Sequence, residues 1–145
     1  MRYLLHINKF VISYFIIVPN DIEVSLKSGG ERCNATVDRR QKIIISPNYP
    51  KEYGLNLDCQ WLLKGPVGKT FIFHFEDFKT EDCHDGISIY DGDTVQWWKE
   101  EELRSNLCGD SIPGDVATTK NIALIRFSSD ESITNRGFKL TYTLQ

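Results

Sequence analysis

The chain has 145 residues, 41% of them apolar and 12% aromatic, which fits one globular domain with its own core and excludes a disordered chain. A net charge of only −3 excludes a general binder of nucleic acid or anionic membrane, because such proteins depend on a concentrated basic surface. The charge that stands out is local and acidic: residues 76 to 93 carry Glu76, Asp77, Glu81, Asp82, Asp85, Asp91 and Asp93 against a single Lys79.

In chain order, the first segment is MRYLLHINKFVISYFIIV, with Arg2 and Lys9 ahead of an apolar run from Phe10 to Val18 that only Ser13 interrupts. A charged start and a short apolar middle resemble a secretory leader, although Lys9 sits late and no small-x-small pair follows Val18. The run is too short for a membrane-spanning helix, which needs about 20 apolar residues. Residues 1–32 are therefore expected to be leader and linker outside the fold, and residues 33–145 the domain. Four cysteines follow, Cys33, Cys59, Cys83 and Cys108, about 25 residues apart and without the CxxC spacing of structural zinc sites. Two disulfides are expected, with all three pairings open on spacing alone. A sequential pairing would close loops worth roughly 3 to 4 kcal/mol each in the chain-entropy model. The sequon Asn34-Ala35-Thr36 predicts glycosylation at Asn34, and with the cysteines it points to a secreted, extracellular protein.

Beyond Lys42 the pattern is strand and turn. Phe71, Phe73 and Phe75 share one face of TFIFHF; Ile87 and Ile89 alternate in GISIYDG; Ala123, Ile125 and Phe127 alternate in NIALIRFSSD; Phe138, Leu140, Tyr142 and Leu144 alternate in FKLTYTL. Turn-forming stretches separate them: SPNYP, KGPVGK, DGD and SIPGD. Residues 95 to 107, VQWWKEEELRSNL, read as a helical turn or long loop, with Trp97 and Trp98 partly buried. Short half-buried strands without an amphipathic helix predict an all-β protein, a two-layer antiparallel sandwich. Trp61, on the apolar strand beside Cys59, is the expected centre of a small core. Gly92 and Gly137 are expected at turn positions where a side chain would be strained.

SPNYPKEY, then Cys59-Gln60-Trp61, FHFEDFKTE, GISIYDG, Leu107-Cys108-Gly109, the FSSD of residues 127 to 130 and Gly137-Phe138 occur in an order and spacing that resemble the CUB domain across residues 33 to 145. The resemblance implies a jelly-roll-like β-sandwich and the pairing Cys33 to Cys59 and Cys83 to Cys108. It also implies a calcium site. Glu81, Asp85 and Asp130 match the acids of that site, Tyr53 supports them, and Ser132 is placed to offer a carbonyl or hydroxyl. Two positions depart from the pattern: the segment from Glu81 to Asp85 is shorter than in calcium-binding members, and residue 133 is isoleucine where those often have asparagine.

The physics agrees with a cation. Three carboxylates about 5 Å apart repel by roughly 3 kcal/mol per pair at an effective dielectric near 20, so a converged cluster needs a cation or a proton. An all-oxygen donor set suits Ca2+. Carboxylates so held still accept hydrogen bonds from a cation. By the resemblance, Glu81 and Asp130, with Tyr53 lining the contact or buried beneath it, would receive a Lys or Arg of an extracellular protein partner. The acids could instead be solvated turn residues, and the domain a structural spacer, an oligomer-forming unit or a glycan binder using Trp97 or Trp98. The chain stops one residue after its last strand, so a fragment of a larger multidomain protein is a further expectation.

An enzyme is not expected. CGDSIPG superficially resembles the nucleophile segment of trypsin-like proteases around Ser111, but the glycines that shape its oxyanion loop are missing and no histidine has a clear place beside a carboxylate. His6 lies in the leader, His74 is on the outer face of its strand, and His84 abuts Cys83 as a surface residue. A transition-metal site of His84, Asp82 and Asp85 would lack a thiolate.

Overall fold

A computed structural model describes residues 2–7, 10–15, 21–33, 36–93 and 102–145, with side chains described for 21–33, 36–93 and 106–145. Its strands are β1 (Arg2–Ile7), β2 (Phe10–Phe15), β3 (Glu23–Ser28), β4 (Val37–Asp38), β5 (Ile43–Ile45), β6 (Asp58–Lys64), β7 (Phe71–Lys79), β8 (Gly86–Asp91), β9 (Glu102–Leu107), β10 (Val116–Ala117), β11 (Ile122–Ser128) and β12 (Gly137–Leu144). β1 and β2 pair only with each other. The rest form two antiparallel five-stranded sheets, in the orders β3-β6-β11-β8-β9 and β10-β7-β12-β5-β4. Most neighbours are distant in sequence, so the chain crosses repeatedly between layers. Trp97, Trp98 and Asn34 lie outside the described residues.

The expected alternation sets the register. Ile125 pairs with Trp61 on one side and Ile89 on the other, and Phe127 with Cys59 and Ile87. All six are fully buried. From the opposite sheet, Phe71, Phe73, Phe75, Phe138, Leu140 and Tyr142 point at them. Edge-to-face contacts join the layers, Trp61 to Phe138 at 5.9 Å and Phe127 to Phe138 at 5.5 Å between centroids. A register shift opposite Lys139 and Leu140 bulges β7, so that Phe75 and Phe78 both face inward and Asp77 turns out. Gly92 and Gly137 have φ of +133° and +83°, and a Cβ on Gly137 would overlap the Ser46 hydroxyl. The disulfides are Cys33–Cys59 and Cys83–Cys108.

The fold reaches further toward the N-terminus than expected. β3 pairs with β6, Val24 opposite Leu63 and Leu26 opposite Trp61, and Val24 is buried in the common core. A short 3-10 turn over Gly30–Cys33 leads into the first disulfide. The boundary at Cys33 is thus corrected for residues 23–32: Val24 and Leu26 cover the edge of β6, but two alternating residues next to an apolar leader-like run give too short a signal to read alone.

Trp61 needs a partner for its buried indole N–H, and Thr36 supplies it: Nε1–H donates to Thr36 Oγ1 at 2.8 Å, and that hydroxyl donates to the Cys33 carbonyl at 2.8 Å. Thr36 is buried, so the sequon's threonine is also a core residue. Thr36→Val should cost about 1–3 kcal/mol, since it strands a buried donor and acceptor, while Thr36→Ser should cost less than half as much. Urea unfolding of the unglycosylated proteins measures both.

Candidate metal centre

The acids lie on two loops at one end of the sandwich, and a third loop supports them. The loop from β7 to β8 carries Glu81 and Asp85. Thr80 anchors it: its N–H donates to Gly109 O at 2.9 Å and its hydroxyl oxygen accepts from the Gly109 N–H at 3.0 Å, next to the Cys83–Cys108 bridge. The loop after β11 carries Asp130. Ser129 locks it to the loop before β6: its N–H donates to Leu57 O at 3.0 Å, its hydroxyl donates to Gly54 O at 2.7 Å and accepts from Leu57 N–H at 3.0 Å. Tyr53 lies on that third loop, tied by its N–H to Asn135 O at 3.0 Å.

These loops bring Glu81, Asp85 and Asp130 together, one carboxylate oxygen from each lying within 4.8 Å of the others. The shorter segment from Glu81 to Asp85 still brings Asp85 beside the other two acids. Its carboxylate has no exposed surface and is met by two donors: the Tyr53 hydroxyl at 2.6 Å on Oδ2 and the Asp130 N–H at 2.8 Å on Oδ1. The same Tyr53 oxygen accepts the Glu81 N–H at 3.1 Å. Of the two roles expected of Tyr53, the structure therefore shows the buried one; a ring 2% exposed supports the acids and does not line a contact. Burial, then the bond to Asp85, pushes its phenol well above the ordinary tyrosine range. Asp130 Oδ1 caps the N–H of exposed Ser132 at 2.9 Å.

Glu81 is the unsatisfied member. Its side chain is 12% exposed, and its Oε2 is buried without a hydrogen-bond partner. Burial and the charge of Asp130 push its carboxyl up, with His84, 3.8 Å away, pulling the other way. Among the described residues no lysine or arginine forms an ion pair with any of the three acids. Held within 4.8 Å of one another, the three carboxylate charges repel each other. An orphaned buried oxygen in an all-oxygen cluster fits a hard divalent cation.

The family model described as CUB domain matches residues 33–142, most of the chain. The chain belongs to the CUB domain family. It is 36% identical over 115 residues to cubilin of Canis lupus familiaris, covering 77% of this chain and 3% of cubilin. It is 34% identical to an astacin-like metalloendopeptidase of Coturnix japonica, covering 77% of this chain and 27% of that one. This CUB chain thus spans only a small part of those relatives. Among solved structures it resembles the CUB1-EGF-CUB2 domain of human MASP-1/3, with TM-score 0.61, 30% identity, and 71% and 38% of the two chains covered. It also resembles the MASP-1 CUB2 domain bound to Ca2+, with TM-score 0.59, 31% identity, and 69% and 88% covered. The CUB domain is a non-catalytic protein-interaction module found within larger extracellular proteins.

The other candidate residues are not members of this triad. His84 is a surface residue, 68% exposed, and the sulfurs near Asp82 are in a disulfide. His74, also exposed, meets Asp115 at 2.7 Å, a carboxylate contact unmarked in the sequence, and no hydrogen bond joins Ser111 to either among the described residues. Among the described residues no helix is long and apolar enough to cross a membrane.

Sequence reading missed a brace beside the site. Arg136, which follows the Asp130 loop, binds Asp77 through two nitrogens at 2.8 and 2.9 Å, and the Tyr49 hydroxyl donates to the same carboxylate at 2.8 Å. Only folding brings residues 59 apart together. Hydrogen bonding to Arg136, helped by Tyr49, holds the Asp77 carboxyl at about 2. A folded pKa below the unfolded one stabilises the protein above about pH 4 and loses that stability as pH falls toward 2. Because the pair is partly exposed, the effect should be about 1 kcal/mol. Asp77→Asn should lower stability by that amount at pH 7 and flatten its acid dependence between pH 4 and 2, as followed by urea unfolding at each pH.

Proposed function

We propose that this CUB domain is a secreted protein-interaction module in which Glu81, Asp85 and Asp130 hold Ca2+, with Ser132 offering a carbonyl or hydroxyl oxygen, and in which Glu81 and Asp130 receive a lysine or arginine of an extracellular partner. The observation that carries this reading is the orphaned Glu81 Oε2, buried within a triad of carboxylates. The likeness to the MASP-1 CUB2 domain bound to Ca2+ supports it. The ion would supply charge neutralisation. The chain's own residues do the rest: Tyr53 fixes Asp85 and Glu81, Asp85 takes the Asp130 N–H, and the outward lone pairs of Glu81 and Asp130 face a basic side chain.

Thermal melting across a calcium titration tests the ion. Wild type should gain about 1–2 kcal/mol, a few degrees, at roughly ten times Kd, with saturation in the millimolar range. Glu81→Gln should remove the gain. A melting temperature unmoved by Ca2+ would defeat the reading.

Secretion belongs to the same proposal: the leader is cut before Glu23, since β3 is part of the folded unit, and Asn34 carries a glycan. Intact-mass and peptide analysis of the protein exported by cultured animal cells should show both; a chain still beginning at Met1, with bare Asn34, would argue against export.

A further inference from the structure

Four large apolar side chains are exposed among the described residues: Leu55, Val67, Ile112 and Ile133. Two of the four share one small ring of chain at the acid cluster. The loop through Tyr53–Asn56 and the loop through Asp130–Asn135 are closed on each other at both ends, by Tyr53 N–H to Asn135 O at 3.0 Å and Asn56 N–H to Asp130 O at 2.7 Å. Leu55, 42% exposed, lies within one side of the ring, and Ile133, 64% exposed, within the other. Buried Tyr53 and the cluster member Asp130 belong to the same ring.

Ile133 is also held in a conformation that its side chain disfavours. Its φ is +50°, the left-handed region, where a β-branched residue is an outlier and asparagine or glycine is at ease. The neighbours impose it: Ser132 N–H is capped by Asp130 Oδ1 at 2.9 Å, and the Thr134 hydroxyl donates to Glu52 Oε2 at 2.9 Å. A strained backbone with an exposed aliphatic side chain is unfavourable twice over in the free protein. Persistent strain of this kind is a pointer to function, and water-exposed apolar atoms regain free energy only when a partner covers them.

We propose that Ile133 and Leu55 are the specificity contacts of the acid cluster, and that the segment it takes is an extended one in which a lysine or arginine is flanked by aliphatic or aromatic side chains. Charge complementarity fixes the basic residue, and the two aliphatic side chains fix the residues two positions to either side of it, which an extended segment puts on the same face about 6.6 Å along the chain. This rests on the cation-site reading above, and the two can fail separately.

Three synthetic peptides test it by NMR titration in millimolar Ca2+: Ac-Gly-Gly-Lys-Gly-Gly-NH2, Ac-Leu-Gly-Lys-Gly-Leu-NH2, and the latter with glutamine for lysine. Wild type should bind the leucine-flanked lysine peptide about tenfold tighter than the glycine-flanked one, as covering two partly exposed aliphatic side chains implies. The glutamine peptide should not bind. Ile133→Asn should reduce the ratio to about twofold while melting no lower than wild type, because asparagine tolerates the left-handed conformation; Leu55→Gln should reduce the ratio independently. Equal binding of the two lysine peptides, or a ratio that survives both substitutions, overturns the aliphatic contact and leaves the cation site standing. Failure of both lysine peptides to bind overturns both.

Discussion

Asp85 presents no surface to water, and an ionised carboxylate in that position is very costly unless protein donors replace its hydration. Two donors do so, and neither is local: the Tyr53 hydroxyl arrives from the loop before β6 and the Asp130 N–H from the loop after β11. The cost of burying Asp85 is offset only when three loops, distant in sequence, close on one another. The other contacts at this end follow from that requirement. Ser129 stitches two of the loops through three hydrogen bonds, and Thr80 pins the third to Gly109. The Tyr53 oxygen that donates to Asp85 also accepts from the Glu81 main chain, so one phenol positions two of the three acids.

That frame does nothing to relieve the repulsion it creates. Asp85 is met on both oxygens and Asp130 is capped on one, yet Glu81 Oε2 is buried and empty-handed. Acids in ordinary turns spread into solvent and keep their hydration. Here hydrogen bonds hold them together, and burial, then the charge of Asp130, pushes the Glu81 carboxyl up. A proton relieves the repulsion at the expense of one charge; a divalent cation relieves it and keeps every carboxylate available. Under the proposed reading, extracellular calcium would have the advantage over the proton at neutral pH, because millimolar ion fills even weak oxygen sites.

How much of this could be read in advance depended on the length scale of each signal. Inward rows such as Ala123, Ile125 and Phe127, or Phe138, Leu140 and Tyr142, are written in period-two alternation, and every one of these residues is buried. The disulfide pairing was not: near-even spacing left three possibilities, and the family resemblance supplied the one observed. Convergence of Glu81, Asp85 and Asp130 likewise came from resemblance, since no local pattern links positions 45 residues apart. β3 escaped because its alternation, Val24 and Leu26, is brief and follows an apolar run of a different kind. Thr36 was legible as part of a sequon, while its bond to the Trp61 indole was not, for a hydroxyl's partner is set by the fold. Asp77 and Arg136 carried no mark at all beyond their charge.

The placement of the acids and the neutralisation of their charge rest on different interactions, and this decides how the proposed module would behave. Hydrogen bonds from Tyr53, Ser129 and Thr80, the Cys83–Cys108 bridge and the Asp77–Arg136 brace hold the loops using groups of the chain itself. A cation entering such a frame has little conformational entropy to offset, so its binding free energy is spent chiefly against carboxylate repulsion. Recognition would then be far more sensitive to the ion than folding is. Without the ion, the outward lone pairs still exist, but the Glu81 carboxyl, pushed up by burial and by the charge of Asp130, is the more readily protonated and then loses the charge that attracts a basic partner. In the proposed module, a preorganised cluster would therefore make calcium a switch on affinity, with the β-sandwich beneath it left almost unchanged.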